Sequence, residues 1–192
     1  MLKDATKLIS ALGCIFLLLI ISFYFSKLST VKIASNSMAP NLLEGDIVLT
    51  YQTAPELGDI LLIEDISGKP FAKRLVALNG DKICYSGNQF TRKNNYKELM
   101  GKYIDSHGNV YEMYQELSGE QYYNTIYTPI FDPTEHCISV PENNYFFLGD
   151  NRTRSVDSRI RDFPRLSEGE AYPKLVFIIY ANDFSRIFQI IR

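Results

Sequence analysis

Two serines and one lysine carry the first chemistry that the sequence suggests. Ser35 and Ser37 lie in the segment SNSMAP, and Lys73 lies in the apolar segment FAKRL. A serine hydroxyl is a weak nucleophile until a base accepts its proton. Burial on a strand penalises the charged form of a lysine, so its pKa falls and the neutral amine can act as a base. The two segments together indicate nucleophilic acyl transfer. Taken alone, the serine segment is more typical of an ordinary loop before a proline. Taken alone, the lysine segment is more typical of a strand lysine whose amine reaches solvent.

A third polar segment, GDNRTRSVDSR at 149–159, follows the apolar run NYFFL. Polar loops at the ends of strands commonly carry functional sites, although a solvated turn is the simpler interpretation. The arginines of this region allow a different hypothesis, a site for a phosphate or a lipid headgroup. That site would use Arg152, Arg154, Arg159 and Arg161. The two histidines, His107 and His136, belong to no recognisable motif and are expected at the surface.

Short strand-like runs surround these segments and must position them. Runs rich in β-branched and aromatic residues are separated by Gly, Pro, Asn and Asp, which is typical of a mainly β fold. The segment at about 86–144 differs, because it is Tyr-rich, polar and interrupted, and we interpret it as an inserted subdomain or lid. The strand-like runs are GDIVLTYQ, DILLIED, FAKRLVAL, DKICYS, HCISV, NYFFLGD and KLVFIIYA.

The N-terminal region predicts a membrane anchor. From Leu8 to Ser26 the chain has 19 residues without a charge, enough for a helix to cross the hydrocarbon core of a bilayer. A cleavable signal peptide is the alternative, but no small-x-small cleavage site follows the run, so an uncleaved anchor is favoured. We therefore expect an N-terminus and anchor at 1–27 and a β catalytic domain at 28–192. The lysines on the two sides of the run are nearly balanced and do not decide its orientation.

Composition limits the remaining possibilities. With 46% hydrophobic residues and a net charge of -2, the chain is suited to fold and gives no electrostatic reason to bind nucleic acid. Cys84 and Cys137 are the only cysteines outside the predicted anchor. They could form a disulfide in an oxidising compartment or remain two separate thiols, and the sequence leaves both open.

Taken together, the motifs resemble those of the type I signal peptidases, membrane-anchored Ser/Lys endopeptidases that remove signal peptides. The resemblance rests on S-x-S-M-x-P at 35–40, G-D-I-V at 45–48, K-R at 73–74 with G-D at 80–81, and G-D-N-R-x-x-S-x-D-S-R at 149–159. The four motifs occur in the family's order after an apolar anchor. The resemblance implies a strongly bent antiparallel β-sheet domain with a single N-terminal transmembrane helix.

The resemblance also implies a role for each matching residue. Ser37 would be the nucleophile and Lys73 the general base. Ser35 would join the Ser37 backbone N–H in the oxyanion hole, and Ser155 would orient the lysine. Met38 would line the substrate cleft. Structural support would come from Asp157 in an ion-pair network with Arg159 and Arg74, and from Asp150 as a brace for the loop.

The family's biology supplies the remaining expectations. The substrates would be preproteins with signal peptides, cut by a monomer in the cytoplasmic membrane with its N-terminus inside and its catalytic domain outside. No metal or organic cofactor is expected. Two alternatives remain, a dedicated processing peptidase for a narrow substrate such as a conjugative pilin, and an inactive anchored binding protein on the same scaffold. A self-cleaving repressor would carry a DNA-binding domain where this chain has its anchor.

Overall fold

The architecture is mainly β, as predicted. A computed structural model describes residues 12–19, 22, 24–65, 67–86, 89–92, 96–128, 134–142, 144–160 and 169–191. Within these ranges the strands are β1 (Leu28–Lys32), β2 (Ile47–Thr53), β3 (Ile60–Glu64), β4 (Pro70–Ala77), β5 (Lys82–Ser86), β6 (Gln89–Arg92), β7 (Lys97–Ile104), β8 (Val110–Ser118), β9 (Gln121–Tyr127), β10 (His136–Ser139), β11 (Phe146–Leu148) and β12 (Tyr172–Tyr180).

A six-stranded sheet in the order β1-β2-β12-β3-β4-β11 holds the predicted chemistry. All its pairings are antiparallel. Strand β4 is buried continuously from Lys73 to Ala77, so it lies in the interior and carries the lysine with it. Two apolar clusters pack around the sheet, one centred on Met38, Val48 and Ile178 and the other on Leu61, Leu75 and Phe147. Removing this apolar surface from water is the main stabilising contribution.

The Tyr-rich segment forms strands of its own. Strands β7, β8 and β9 make a three-stranded antiparallel sheet, and β10, β5 and β6 make another. The β7-β8-β9 sheet, called the insert sheet below, contacts the rest of the chain through a parallel bridge between Ile126 and Asn151. At these residues the Tyr-rich segment is therefore an ordered antiparallel sheet, and its interpretation as an inserted subdomain or lid stays a prediction.

Cys84 and Cys137 form a disulfide between neighbouring strands. The antiparallel register of β5 and β10 places the two residues directly opposite each other, with their Cα atoms 4.0 Å apart. Of the two possibilities that the sequence left open, the structure therefore has the bridge.

The predicted anchor lies only partly within the described residues. Residues 12–19, 22, 24 and 25 are helical, and their side chains are exposed. Among the described residues, no helix has both the length and the apolar composition needed to cross a bilayer. The other positions of the predicted span, 8–11, 20, 21 and 23, lie outside the described residues.

Candidate active site

The segment that carries Ser37 leaves the sheet after β1 and forms a short 3₁₀ turn at Asn36–Met38. The turn is held at both ends, since the Asn36 side-chain oxygen accepts from the Glu44 N–H and the Ser37 carbonyl accepts from the Asn151 N–H. Met38 is buried beneath it at 1% exposure. Ser37 itself is half-buried, and its hydroxyl lies beside the Lys73 side chain of β4. Its hydroxyl is therefore fixed in position and still accessible.

Lys73, on strand β4, contacts this hydroxyl. Its Nζ lies 3.1 Å from Ser37 Oγ and 3.0 Å from the Ala72 carbonyl oxygen. Ser35 Oγ donates to Ser37 Oγ from a second direction at 3.3 Å. Residues 36 positions apart in the sequence are thus brought within hydrogen-bonding distance. A nucleophile and a base in direct contact are the arrangement that acyl transfer requires.

Burial changes the protonation of this lysine. Lys73 is 1% exposed, and the loss of solvation lowers the pKa of its amino group from 10.5 to about 8. The negative charges of Asp157 and Asp150 oppose the shift without cancelling it. No carboxylate within the described ranges forms an ion pair with the amine. About a tenth of the amine is therefore neutral at pH 7 and about half at pH 8, and the neutral form is the one that acts as a general base.

The loop that follows β11 packs against the nucleophile turn. A side chain at Gly149 would overlap Ser155 Oγ and would lie 2.6 Å from the Ser37 carbonyl oxygen, so only glycine fits there. Ser155 is 6% exposed, and its Oγ has no hydrogen-bond partner among the described residues. The expected contact between Ser155 and Lys73 is thus not formed here, and the orienting role of Ser155 stays a prediction.

Two buried ion pairs brace this loop. Arg74 donates to both carboxylate oxygens of Asp150 at 2.7 Å, and both side chains are fully buried. Arg159 donates to Asp157, whose other oxygen also accepts from the Gly149 N–H at 3.1 Å. Arg74 thus reaches Asp150 and not Asp157, with which the sequence grouped it.

Comparison with known proteins gives this geometry a context. The sequence profile of the family described as "Signal peptidase, peptidase S26" matches residues 5–180. That range includes the nucleophile turn, strand β4 and the loop after β11. The chain belongs to the signal peptidase S26 family.

Individual members of the family are similar over parts of the chain. The signal peptidase I of Rickettsia prowazekii is 37% identical over 124 residues, which is 57% of this chain and 47% of that protein. The Rickettsia typhi signal peptidase I is 36% identical over the same shares. The Buchnera aphidicola signal peptidase I is 28% identical over 77% of this chain and 68% of that protein. The chain spans about half the length of the Rickettsia relatives it matches.

The described arginines of the predicted anion site, Arg152, Arg154 and Arg159, do not form an open cluster. Arg152 is buried against Glu116, and Arg159 is held by Asp157. Arg154 is exposed and lies 3.9 Å from Asp105. Because two of the four guanidinium groups are already neutralised, the phosphate or headgroup site suggested by the sequence is wrong as stated. The fourth residue, Arg161, lies outside the described residues.

Neither Met38 nor the cavity beside the nucleophile turn identifies the substrate cleft. The Met38 side chain packs with Ile33 and Leu42 in the core, with Leu62 and Ala72 at the cluster's edge, so its place in a substrate cleft stays a prediction. A cavity of about 940 Å³ opens behind the nucleophile turn, beside Asn36 and Asn151. Ser37 and Lys73 do not line it, so the cavity is not the reacting site.

Sequence reasoning missed two residues of this S26 site. Asn151 donates its N–H to Ser37 and its side-chain amide to the Asn36 carbonyl at 3.2 Å, which fixes the turn. The Glu116 carboxylate, in the insert sheet, accepts a hydrogen bond from the Arg152 guanidinium. Asn151 lies within the motif at 149–159, so the sequence offered a signal for its role in the site. Nothing in the run VYEMYQELS distinguishes Glu116 from Glu112 as the buried acid.

Proposed function

We propose that the chain is a serine endopeptidase that removes N-terminal signal peptides from exported preproteins through Ser37 and Lys73. The observation that carries the proposal is the 3.1 Å approach of Lys73 Nζ to Ser37 Oγ at a buried lysine. Membership of the S26 family supports the reaction class. The relatives named signal peptidase I support the substrate class.

The acylation half-reaction begins when neutral Lys73 accepts the Ser37 hydroxyl proton. Ser37 Oγ then bonds to the carbonyl carbon of the scissile peptide and forms a tetrahedral intermediate. The oxyanion accepts hydrogen bonds from the Ser37 N–H and from the Ser35 hydroxyl, which turns from its present acceptor 3.3 Å away. Collapse breaks the C–N bond, and protonated Lys73 returns the proton to the departing amine of the mature protein.

Deacylation repeats these steps with water. Lys73 takes a proton from a water molecule, which attacks the ester carbonyl, and Ser37 leaves with that proton. Ser155 would exchange a hydrogen bond with the amine as the amine changes charge, and this proposal is supported by its buried Oγ, which has no partner among the described residues. Both half-reactions use only the chain's own residues and water.

The substrate would bind as an extended strand beside the sheet. Shallow pockets along the sheet would admit the small side chains at positions -3 and -1 of the cleavage site. Met38 would line the pocket at -1 from below the nucleophile.

We further propose that residues 1–27 comprise a cytoplasmic N-terminus and a membrane anchor, with the monomeric domain at 28–192 on the outer side. The Cys84–Cys137 disulfide supports that side, because disulfides persist in oxidising compartments.

The decisive experiment compares wild type, Ser37→Ala and Lys73→Ala in detergent on a preprotein with a small-x-small site. Sequencing the new N-terminus of the product identifies the bond that is cut. Lys69→Ala is the matched control, because Lys69 and Lys73 both lie 5.5 Å from the Phe71 ring but only Lys73 contacts Ser37. We expect cleavage directly after the site by wild type and Lys69→Ala only.

Two outcomes would contradict the proposal. Undiminished cleavage by Lys73→Ala would remove the dyad mechanism. A wild type that is inert on a panel of preproteins would favour a dedicated processor or an inactive binding protein, and trials on single candidate substrates would separate those two.

A further inference from the structure

A buried ion pair joins the insert sheet to the loop after β11. Arg152 Nη2 lies 2.6 Å from Glu116 Oε2, and Nη1 lies 3.1 Å from Oε1. Both side chains have no exposed surface. Arg152 comes directly after the residues that contact the nucleophile turn, whereas Glu116 belongs to β8. The pair is therefore a direct connection between the insert and the active-site loop.

Further hydrogen bonds satisfy both partners. Besides Arg152, Glu116 accepts from the Tyr123 hydroxyl at 3.2 Å and from the Thr125 hydroxyl at 3.1 Å. Arg152 Nε donates to the Gly149 carbonyl at 3.1 Å. Burial acts to lower the pKa of Arg152, but the charge of Glu116, its hydrogen bonds, Tyr123 and the charge of Asp150 together more than offset that effect, so the pKa is raised. Arg152 thus keeps its charge, and the paired hydrogen bonds hold the two side chains in one geometry.

The loop held in this way also holds the nucleophile. The Arg152 N–H donates to the Ile126 carbonyl, and the Ile126 N–H donates to the Asp150 carbonyl, both at 2.9 Å. Between them, the Asn151 N–H donates to the Ser37 carbonyl at 3.1 Å. A shift of Arg152 would therefore move the group that fixes the Ser37 backbone. Displacements of about 1 Å at a reacting centre can cost about 100-fold in rate.

We propose that Glu116 is a positioning residue for the reaction, which holds the loop of Asn151 and Ser155 against Ser37 through Arg152. The insert sheet is then part of the active-site scaffold and not a detachable lid. This inference rests on the proposed peptidase function for its kinetic test, and a second measurement below is independent of that function.

The alternative is a purely structural pair, and the two roles predict different behaviour in variants. Removing one partner of a buried pair leaves an uncompensated charge and destabilises the fold, whereas replacing both with apolar residues often restores stability. A structural role would return activity together with stability. A positioning role would not, because the apolar pair cannot donate a hydrogen bond to the Gly149 carbonyl and so cannot hold the loop in place.

The kinetic experiment measures kcat, KM and melting temperature for wild type, Glu116→Gln and the double variant Glu116→Leu/Arg152→Met. We expect Glu116→Gln to lower kcat by about 100-fold with KM changed by less than about threefold. The double variant should recover the melting temperature and leave kcat low. Glu112→Gln is the matched control, because Glu112 lies on the same strand and bonds only Tyr114 in the described contacts.

The pH profile adds a readout that lost stability would not move. Lys73 faces Asp157 and Asp150 from the loop and the Phe71 ring from its own strand. A loosened loop admits water to the amine and reduces the effect of burial. The acidic limb of kcat/KM in Glu116→Gln should therefore move to higher pH. An unshifted limb with wild-type kcat, or full recovery of kcat in the double variant, would overturn the proposal.

Amide hydrogen exchange on the intact chain provides the independent measurement. In Glu116→Gln we expect faster exchange at the Asn151 and Arg152 amides and unchanged exchange in β3 and β4. Unchanged exchange at both loop amides would overturn the inference even if the wild type cleaved no substrate. A failure of the peptidase proposal is recognised separately, by an inactive wild type with a loop that still loosens.

Discussion

Two lysines with a lowered pKa lie over aromatic rings in different regions of the molecule, and only one is a candidate base. Lys73 in the six-stranded sheet lies 5.5 Å from the Phe71 ring. Lys97 in the insert sheet lies 4.5 Å from the Tyr114 ring and 4.4 Å from the Tyr127 ring. Burial lowers the pKa of both amines, and nearby acids oppose the shift in both.

The difference lies in what each amine can reach. Lys73 contacts the Ser37 hydroxyl at 3.1 Å. Lys97 lies over two stacked tyrosine rings and opposite Glu116, whose carboxylate is already bound by Arg152. A depressed lysine pKa is therefore insufficient evidence for a base. The adjacent nucleophile makes the distinction, since structural networks perturb pKa values as well.

The largest effect expected is an asymmetry between the two lysines. Lys73→Met should lower kcat by about 10²- to 10⁴-fold, the usual contribution of a general base. Lys97→Met should stay within about threefold of wild type, because no reacting group depends on its proton. Steady-state cleavage assays on one preprotein measure both. Equal losses in the two variants would break the comparison.

A second variant tests the close packing around Ser37. The added methyl group of Gly149→Ala would overlap Ser155 and press on the Ser37 carbonyl, so kcat should fall by about 100-fold. Gly13→Ala is the control, because nothing lies within 4 Å of a methyl group there. A fully active Gly149→Ala enzyme would mean that the loop moves freely and does not fix the nucleophile.

The pH dependence distinguishes the lysines without removing either. Lys73 accepts a proton only when neutral, and its pKa is about 8. Below that pH, kcat/KM should fall about tenfold per unit, and above it the value should level off. The midpoint should be the same in Lys97→Met, since that amine is not the base. A midpoint near 10.5 would show that burial does not activate Lys73.

The smallest effect expected is on stability, and it should be larger for Lys73 than for Lys97. Lys73→Met should raise the free energy of unfolding at pH 7 by about 1–3 kcal/mol, because a buried amine without a carboxylate partner is costly. Lys97→Met should change it by about 1 kcal/mol or less, the size of an exposed cation–π contact. Urea denaturation measures both values.

The sign of the pH effect on stability follows from the same shift. Between pH 8 and 10.5 the unfolded chain binds more protons at Lys73 than the folded chain does, so wild-type stability rises with pH. The advantage of Lys73→Met should shrink over this window. An advantage that is constant with pH would mean that the folded pKa of Lys73 is unshifted.

Local patterns in the sequence predicted the strands and the candidate dyad. The run FAKRLVAL became β4 and KLVFIIYA became β12, because β-branched and aromatic residues between turn residues are a local signal. Ser35, Ser37 and Lys73 stand in short motifs, which together with the segment at 149–159 carried the family resemblance that implied their roles. The Tyr-rich segment at about 86–144 was interpreted as an inserted subdomain or lid. Residues 97–127 within it form an ordered sheet, and the stacking of Tyr114 on Tyr127 is a contact that composition alone does not reveal.

Contacts between distant segments were decided by the tertiary structure alone. Arg74 pairs with Asp150, 76 positions away, and Glu116 pairs with Arg152, 36 positions away. The disulfide between Cys84 and Cys137 depends on the register of two strands separated by 53 positions. The sequence determined which groups could react. Strand register and burial determined which of them meet, because the free energy of a charge pair or a desolvated amine depends on surroundings supplied by other parts of the chain.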